Sequence, residues 1–541
     1  MKATSMRNQF HFFVFFLSLM TIVSCATGER ALIDDLNGVD VLTRSDQRVH
    51  DDSFFQHEFE AINDRRAAKG FVVERRQSRP NRLVGLALSG GGIRASAFHF
   101  GILSGLHNMR DKSGVQLLNY IDYISSVSGG SWTNGAYWAW PNKRDEDFFS
   151  CLDQIAINIP LAALCQPASN FLRSEQTIES LPILGQRKEV WMQNIRDSYL
   201  GGREITFDHT QLPLGRPYPI FNATHSVPLP RQRGRVGHFP FQHTPHQHGT
   251  YAESSDAVDN DAPPVYSGEF KGFFLRNDAK DFDWRRRKWQ RYWKFWDTSA
   301  FYERNSNTLA YALAASSGVV RSALLLEYNF SIVQTENDKP LNAKGLRPLY
   351  RISDGGKSDN TGISSLIERR VDIIIAIHMG RETDNINFPF EDFELAGQQA
   401  KHFLGCEIAD LAYTENVRKW LNAVEYRCPA RPDEFKGVIL NIKPDPSHIS
   451  DFMEHMRRWT DDPELPQSER SRIETLINYI RSQDSDSKVA LDERFPRTPT
   501  LRMNYDEELT ALYFLLGKYT ISINAGLIMD EIMNNAISFD Q

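Results

Sequence analysis

Leu83-Val84-Gly85-Leu86-Ala87-Leu88 runs directly into Ser89-Gly90-Gly91-Gly92-Ile93-Arg94-Ala95. The unbroken apolar run suits a strand buried on both faces, and the glycine turn behind it opens onto a helical pattern. Further on, Tyr123-Ile124-Ser125-Ser126-Val127 reads as a second strand. It passes straight into Ser128-Gly129-Gly130-Ser131, with another helical pattern following. Two such units in succession, and further strands alternating with helices downstream, predict an α/β fold with a mostly parallel central sheet and helices on both faces. One turn holds three bare glycines and the other a serine, a combination that suggests acyl transfer.

The totals bound the reading. The chain has 541 residues, 41% hydrophobic and 24% charged, enough for one large catalytic domain with insertions or two or three smaller ones. The net charge of −7 becomes −9 when Lys2 and Arg7, the only charges among the first 25 residues, are removed. That balance argues against a nucleic-acid binder, and no repeat period points to a solenoid. Lys2 and Arg7 precede an apolar run over residues 10–23, short for a bilayer span and suited to a signal-peptide core. The run ends in Ile22-Val23-Ser24-Cys25, similar to the bacterial lipobox whose cysteine is lipidated. A plain secretory signal cut near Ser24 or Ala26 is the alternative. The expectation is a signal peptide over 1–24 and a lipid anchor at Cys25, placing an exported protein on an outer-membrane or periplasmic membrane surface.

Four cysteines remain: Cys151, Cys165, Cys406 and Cys428. Pairing by proximity gives Cys151–Cys165 and Cys406–Cys428; four buried free thiols are the other reading. No cysteine has zinc-ligand spacing, so no metal or cofactor is expected.

Along the chain, residues 25–80 read as a polar tether followed by a lead-in helix over 54–69. Residues 81–385 read as the catalytic core, with a helical insertion after Trp140 and a strand over 217–224. A surface-loop insertion is expected at about 228–265, where His238, His243, His246 and His248 fit a solvated tract better than a metal site. Trp289, Tyr292, Trp293 and Trp296 form one helical stripe among basic residues, suited to a core face or to a lipid headgroup region. A small-residue helix is expected over 308–326, a strand over 349–353, a helix over 363–370 and a β-branched strand over 371–377. Residues 386–541 read as a helical extension packing back on the core, with helices over 509–518 and 525–537.

The chemistry concentrates at three places. At Gly90, Gly91 and Gly92 the bare backbone can turn N–H groups toward one point, with the positive end of the following helix behind them. A phosphate or a tetrahedral oxyanion would be served equally. Gly90-x-Gly92-x-x-Ala95 also fits a dinucleotide fingerprint with Asp111 as its acid, but that reading has no use for Ser128. Ser128 in Ser126-Val127-Ser128-Gly129-Gly130 has the offset of a nucleophile elbow, with serine replacing the usual first glycine; Ser125 and Ser131 lack the offset. Asp354 in Ile352-Ser353-Asp354-Gly355-Gly356 can serve as a base if held against the hydroxyl.

Taken together, Ser89–Ala95, Ser126–Trp132 and Asp354–Gly362 resemble the patatin-like phospholipases, especially the cytosolic-type branch carrying SGGGxRA. Phe221-Asn222-Ala223-Thr224 and the helix around Ala314–Gly318 extend the resemblance over about residues 82–380. It implies a three-layer patatin-like sandwich and a Ser–Asp dyad without histidine, Ser128 as nucleophile and Asp354 as proton acceptor. It further implies an oxyanion hole from Gly91 and Gly92 with Gly90 shaping the turn, and Arg94 on the phosphate of a phospholipid substrate, where a guanidinium can bind bidentately. The expected activity is release of fatty acid from phospholipid or lysophospholipid at a membrane. The alternatives are a neutral-lipid or general carboxylesterase on the same dyad, and a lipid-binding surface lipoprotein with a degenerate site.

Overall fold

In the computed structural model, the apolar run at 84–88 is a strand with a parallel neighbour on each side, an arrangement that demands apolar residues on both its faces. The structure describes residues 55–73, 79–140, 144–157, 187–207, 213, 215–228, 236–250, 273–276, 308–317, 330–333, 349–379, 391–409, 421–428, 434–444, 449–463, 465–485, 495–496 and 505–534. The signal segment 1–24, Cys25, Cys165 and the aromatic stripe at 289–296 lie outside the described residues.

The strands in chain order are β1 (Val84–Leu88), β2 (Tyr123–Val127), β3 (Tyr218–Pro228), β4 (Val236–His243), β5 (Gln247–Thr250) and β6 (Phe273–Arg276). They continue with β7 (Phe330–Val333), β8 (Leu349–Asp354), β9 (Ile373–Ile377), β10 (Glu407–Ile408), β11 (Leu421–Cys428) and β12 (Phe435–Ile442). The helices are α1 (Gln56–Ala68), α2 (Gly92–Asn108), α3 (Leu117–Tyr120), α4 (Gly129–Ala139), α5 (Asp145–Ile157) and α6 (Arg187–Tyr199). Then come α7 (Leu309–Ser316), α8 (Ser364–Glu368), α9 (Glu391–Gln399), α10 (Ile449–Thr460), α11 (Gln467–Ser485) and α12 (Glu507–Asn534).

One sheet runs β10-β11-β12-β9-β1-β2-β3-β4-β5-β6, with β8 added to β3 and β7 to β8. Its centre, β12-β9-β1-β2-β3, is parallel throughout. The alternation of side chains divides the core. Leu86, Leu88, Ile373, Ile375 and Ile377 face one hydrophobic cluster with α2, α4 and α12. Ala87, Ile374 and Ala376 face a second with α1, α8 and α9. The result is the expected α/β sandwich of three layers.

The lead-in helix belongs to this core. Arg66 on α1 binds Asp122 bidentately, at 2.8 and 2.7 Å. Glu58 on the same helix is gripped by Arg369 at 2.6 and 2.8 Å, all four residues being buried. Burial opposes the charge on Arg369, but the Glu58 carboxylate more than offsets it and raises the arginine's pKa.

Several expectations change. Both flanks of the sheet are antiparallel, whereas only a parallel centre was legible. Residues 236–243 and 247–250, expected in the surface loop at 228–265, are strands β4 and β5. Their polar composition misleads because the polar groups are satisfied inside: buried Gln242 donates to Glu368 at 2.6 Å and accepts from Arg369 at 2.8 Å. His243 is buried, and His246 bonds the Tyr218 hydroxyl at 2.8 Å.

At the C-terminus the two expected helices are one, α12. It is long and apolar enough to cross a membrane by length and composition, yet 61% of its most apolar window is buried. It crosses α2 with almost no gap. A Cβ on Gly101 would lie 1.9 Å from the Phe514 carbonyl oxygen, and one on Gly517 would lie 2.1 Å from that of Phe98. Packing accounts for the apolar face that α12 turns to α2, while Ile523, Leu527 and Met533 on the same helix are exposed. Of the expected disulfides, Cys406–Cys428 is formed; Cys151 is disulfide-bonded, and Cys165 lies outside the described residues.

Candidate active site

A single strand aligns the two principal candidates. On one edge of β3, Asn222 pairs with Val127, the last residue of β2. The next residue on β3, Ala223, pairs with Asp354, the last residue of β8. The other edge of β3 is occupied by β4 over the same residues, so β2 and β8 share one edge and meet end to end on consecutive rungs, about 3.3 Å apart along the strand. Ser128 leaves the end of β2 where Asp354 leaves the end of β8. A Cβ on Gly355 would touch Val127 Cγ1 at 2.9 Å, which confirms how tightly the two ends abut.

Ser128 caps α4 with φ 49° and ψ −119°, a left-handed conformation that serine rarely adopts. Its N–H is shared by the carbonyl and Oγ of Ser316 on α7, at 3.2 and 3.1 Å. Ser316 in turn donates to the Asn222 carbonyl and pairs with Ser131 Oγ at 2.8 Å. Asn222 Nδ2 donates to Ser125 Oγ and to the Ser126 carbonyl, at 2.8 and 3.0 Å. This network disposes of the competing serines. Ser125 and Ser131 are fully buried with hydroxyls committed to neighbours, Ser125 to the Gly362 carbonyl at 2.6 Å; Ser128 is half-buried. Ser126, the departure from the usual elbow, donates to the Ile220 carbonyl at 3.1 Å and accepts from Asn134 Nδ2 at 3.0 Å. Its hydroxyl is thus part of the elbow's support. Ser128 Oγ itself has no hydrogen-bond partner among the described residues; such bonds commonly close only with substrate in place.

Gly91 and Gly92 adopt φ of 144° and 62°, open to glycine and costly for other residues. Gly90 N–H is taken by the Asn360 carbonyl at 2.9 Å, while those of Gly91 and Gly92 have no backbone acceptor among the described residues. Gly92 also opens α2, whose first N–H groups lack intrahelical acceptors. Arg94 lies in this first turn but is 2% exposed, and it donates to the Met379 carbonyl at 2.6 Å. Met379 N–H donates to Ser89 Oγ at 2.7 Å, so the turn is tied to the end of β9. Asp111, the acid of the dinucleotide alternative, accepts from Ser113 and Val115 N–H and from the Tyr120 hydroxyl, at 2.8, 2.8 and 2.6 Å. That is the work of a turn anchor.

The base loop holds two aspartates, and the structure separates them. Asp359 is consumed by the chain: its carboxylate accepts from the N–H groups of Thr361, Gly362 and Ser364 at 2.8, 3.1 and 2.9 Å and from the Thr361 hydroxyl. Asp354 accepts the Gly356 N–H at 2.7 Å and sits at the end of β8 beside the elbow. Residues that local reasoning missed are Ser316, which holds the elbow, and Asn360, which bridges the glycine turn to the base loop. Asn222 and Ser316 lay within stretches of family resemblance, but only the long-range contacts reveal their work.

No family model matches the chain, and no curated protein matches it in sequence. Three solved structures similar to it are of human GIVD cytosolic phospholipase A2. One has a TM-score of 0.49 at 13% identity, covering 89% of this chain and 64% of that one. A second, in complex with methyl gamma-linolenyl fluorophosphonate, has 0.48 at 15%, covering 89% and 63%. The third, with that inhibitor and terbium chloride, has 0.46 at 14%, covering 90% and 64%. The chain thus spans less than two thirds of the length of these structures, and at these scores the likeness carries no weight for its chemistry.

Proposed function

We propose that this chain is a serine acyl hydrolase that releases fatty acid from phospholipid or lysophospholipid. The observation that supports the reading is the register of β3, which sets Val127 at the end of β2 and Asp354 at the end of β8 on consecutive rungs. Ser128 Oγ attacks the ester carbonyl while Asp354 takes its proton. The oxyanion is received by the N–H groups of Gly91 and Gly92 at the start of α2, with Gly90 holding the turn. Asp354 returns the proton to the departing alcohol, leaving the acyl group on Ser128. Water, deprotonated by the same carboxylate, then frees the fatty acid and regenerates the hydroxyl. No step requires a metal or cofactor.

Arg94 is assigned to the substrate phosphate in this reading. Its place in the first turn of α2 supports the assignment. Its burial favours the second reading, an esterase for uncharged lipid esters on the same dyad. The Cys406–Cys428 bond supports an exported protein, because such bonds persist in oxidising compartments. Lipidation at Cys25 would hold the enzyme at its membrane substrate.

The test is fatty-acid release from phosphatidylcholine vesicles by purified protein. Ser128→Ala and Asp354→Asn are each expected to abolish it. Release that persists in both variants removes the dyad.

A further inference from the structure

We infer that Asn360, oriented by Asp392, is a positioning residue that sets the spacing between the oxyanion turn and the base loop; the inference rests on the acyl-hydrolase reading above. Asn360 lies on the base loop, and its backbone carbonyl accepts the Gly90 N–H at 2.9 Å. Its side chain fills the gap on the same side. A Cβ on Gly90 would lie 2.1 Å from Asn360 Oδ1 and 3.3 Å from Ser128 Cβ. A Cβ on Gly356 would lie 2.8 Å from the same Oδ1, and Gly356 supplies the N–H that holds Asp354 Oδ1 at 2.7 Å. Gly90 is absent from the residues with positive φ, so what it must provide is room for this amide. One side chain is therefore wedged between the donor turn, the nucleophile and the support of the base.

The orientation of the wedge is set from outside the loop. Asn360 Nδ2 donates to Asp392 Oδ2 at 2.7 Å, which leaves Oδ1 facing the two glycines. Asp392 is on α9, and at the other end of that helix Gln399 Nε2 donates to the Ser358 carbonyl. The helix thus grips the base loop at two points. Without an acceptor at 392 the amide can turn over and place its donors against the oxyanion turn.

Wild type, Asn360→Ala, Asp392→Ala, Asp392→Asn and Ser128→Ala are compared on phosphatidylcholine vesicles and on p-nitrophenyl butyrate, with thermal unfolding as the check on folding. Asn360→Ala is expected to lower kcat about 10–100-fold on both substrates with KM within about twofold, as for a displaced catalytic geometry. Asp392→Ala should lower kcat about tenfold, and Asp392→Asn should restore it, because its side-chain carbonyl accepts the same hydrogen bond. Wild-type kcat in Asn360→Ala, or a change confined to KM, overturns the inference. If Asn360→Ala does not fold, the other pair decides: equal kcat for Asp392→Ala and wild type overturns it. Full activity in Ser128→Ala defeats the acyl-hydrolase reading itself, a result separable from failure at 360 or 392.

Discussion

Ser128 occupies a backbone conformation that costs a non-glycine residue about 1–3 kcal/mol, and the bonds its N–H donates to Ser316 help to hold it there. Arg94 is the residue on which the two substrate readings part. If it reads phosphate, Arg94→Ala will lower cleavage of phosphatidylcholine about tenfold or more relative to an uncharged ester, the scale of one lost charged hydrogen bond. Equal losses on both substrates, measured as kcat/KM, would assign it to the turn through Met379. Two buried histidines set an acid limit. Burial, aided by neighbouring His378, lowers the pKa of His99 from 6.5 to about 3; burial and Lys443 do the same for His378. The unfolded chain then binds more protons than the folded one between pH 6.5 and 3, so stability falls as the pH is lowered through that window. Thermal unfolding against pH should show this slope, and His99→Gln should flatten it; an unchanged slope assigns the loss elsewhere. As candidates, Ser128 and Asp354 are legible because each stands where a strand runs into a tight turn, a local pattern. The work of Ser316 was not, because it depends on a partner 188 positions away.

At the scale of elements, β3 is the organiser. It passes from a parallel pairing with β2 to an antiparallel pairing with β8 on the same edge, and at this change of partner the candidates Ser128 and Asp354 leave their strands. The parallel core could be read from β-branched runs such as Ile373–Ile377. The antiparallel flanks could not, since β4 carries Gln242, which the Glu58–Arg369–Gln242 network makes compatible with burial. That network predicts the role of α1. Arg369→Ala, leaving Glu58 buried without its partner, should destabilise the protein by about 3–5 kcal/mol in chemical denaturation. Replacing both residues by leucine and methionine should cost less than Arg369→Ala alone. A double variant as unstable as the sum of the singles would mean that the pair does not join α1 to the core.

Over the whole molecule, a sandwich of three layers places the glycine turn and Ser128 at the carboxyl ends of the parallel strands β1 and β2, the position where open α/β sheets form their sites, and Asp354 beside them at the end of antiparallel β8. The helices beyond β12 return to the core, α12 against α2 through Gly101 and Gly517, so the C-terminal extension buttresses the helix that opens at the glycine turn. The central claim is a covalent acyl intermediate on Ser128 generated by Asp354. It is tested most directly by acid-quenching the enzyme during turnover of phosphatidylcholine and mapping the acyl adduct by peptide mass spectrometry. The account predicts an adduct on Ser128 in wild type and none in Ser128→Ala or Asp354→Asn. An adduct on another residue, or fatty acid released at the wild-type rate by Ser128→Ala, would contradict it.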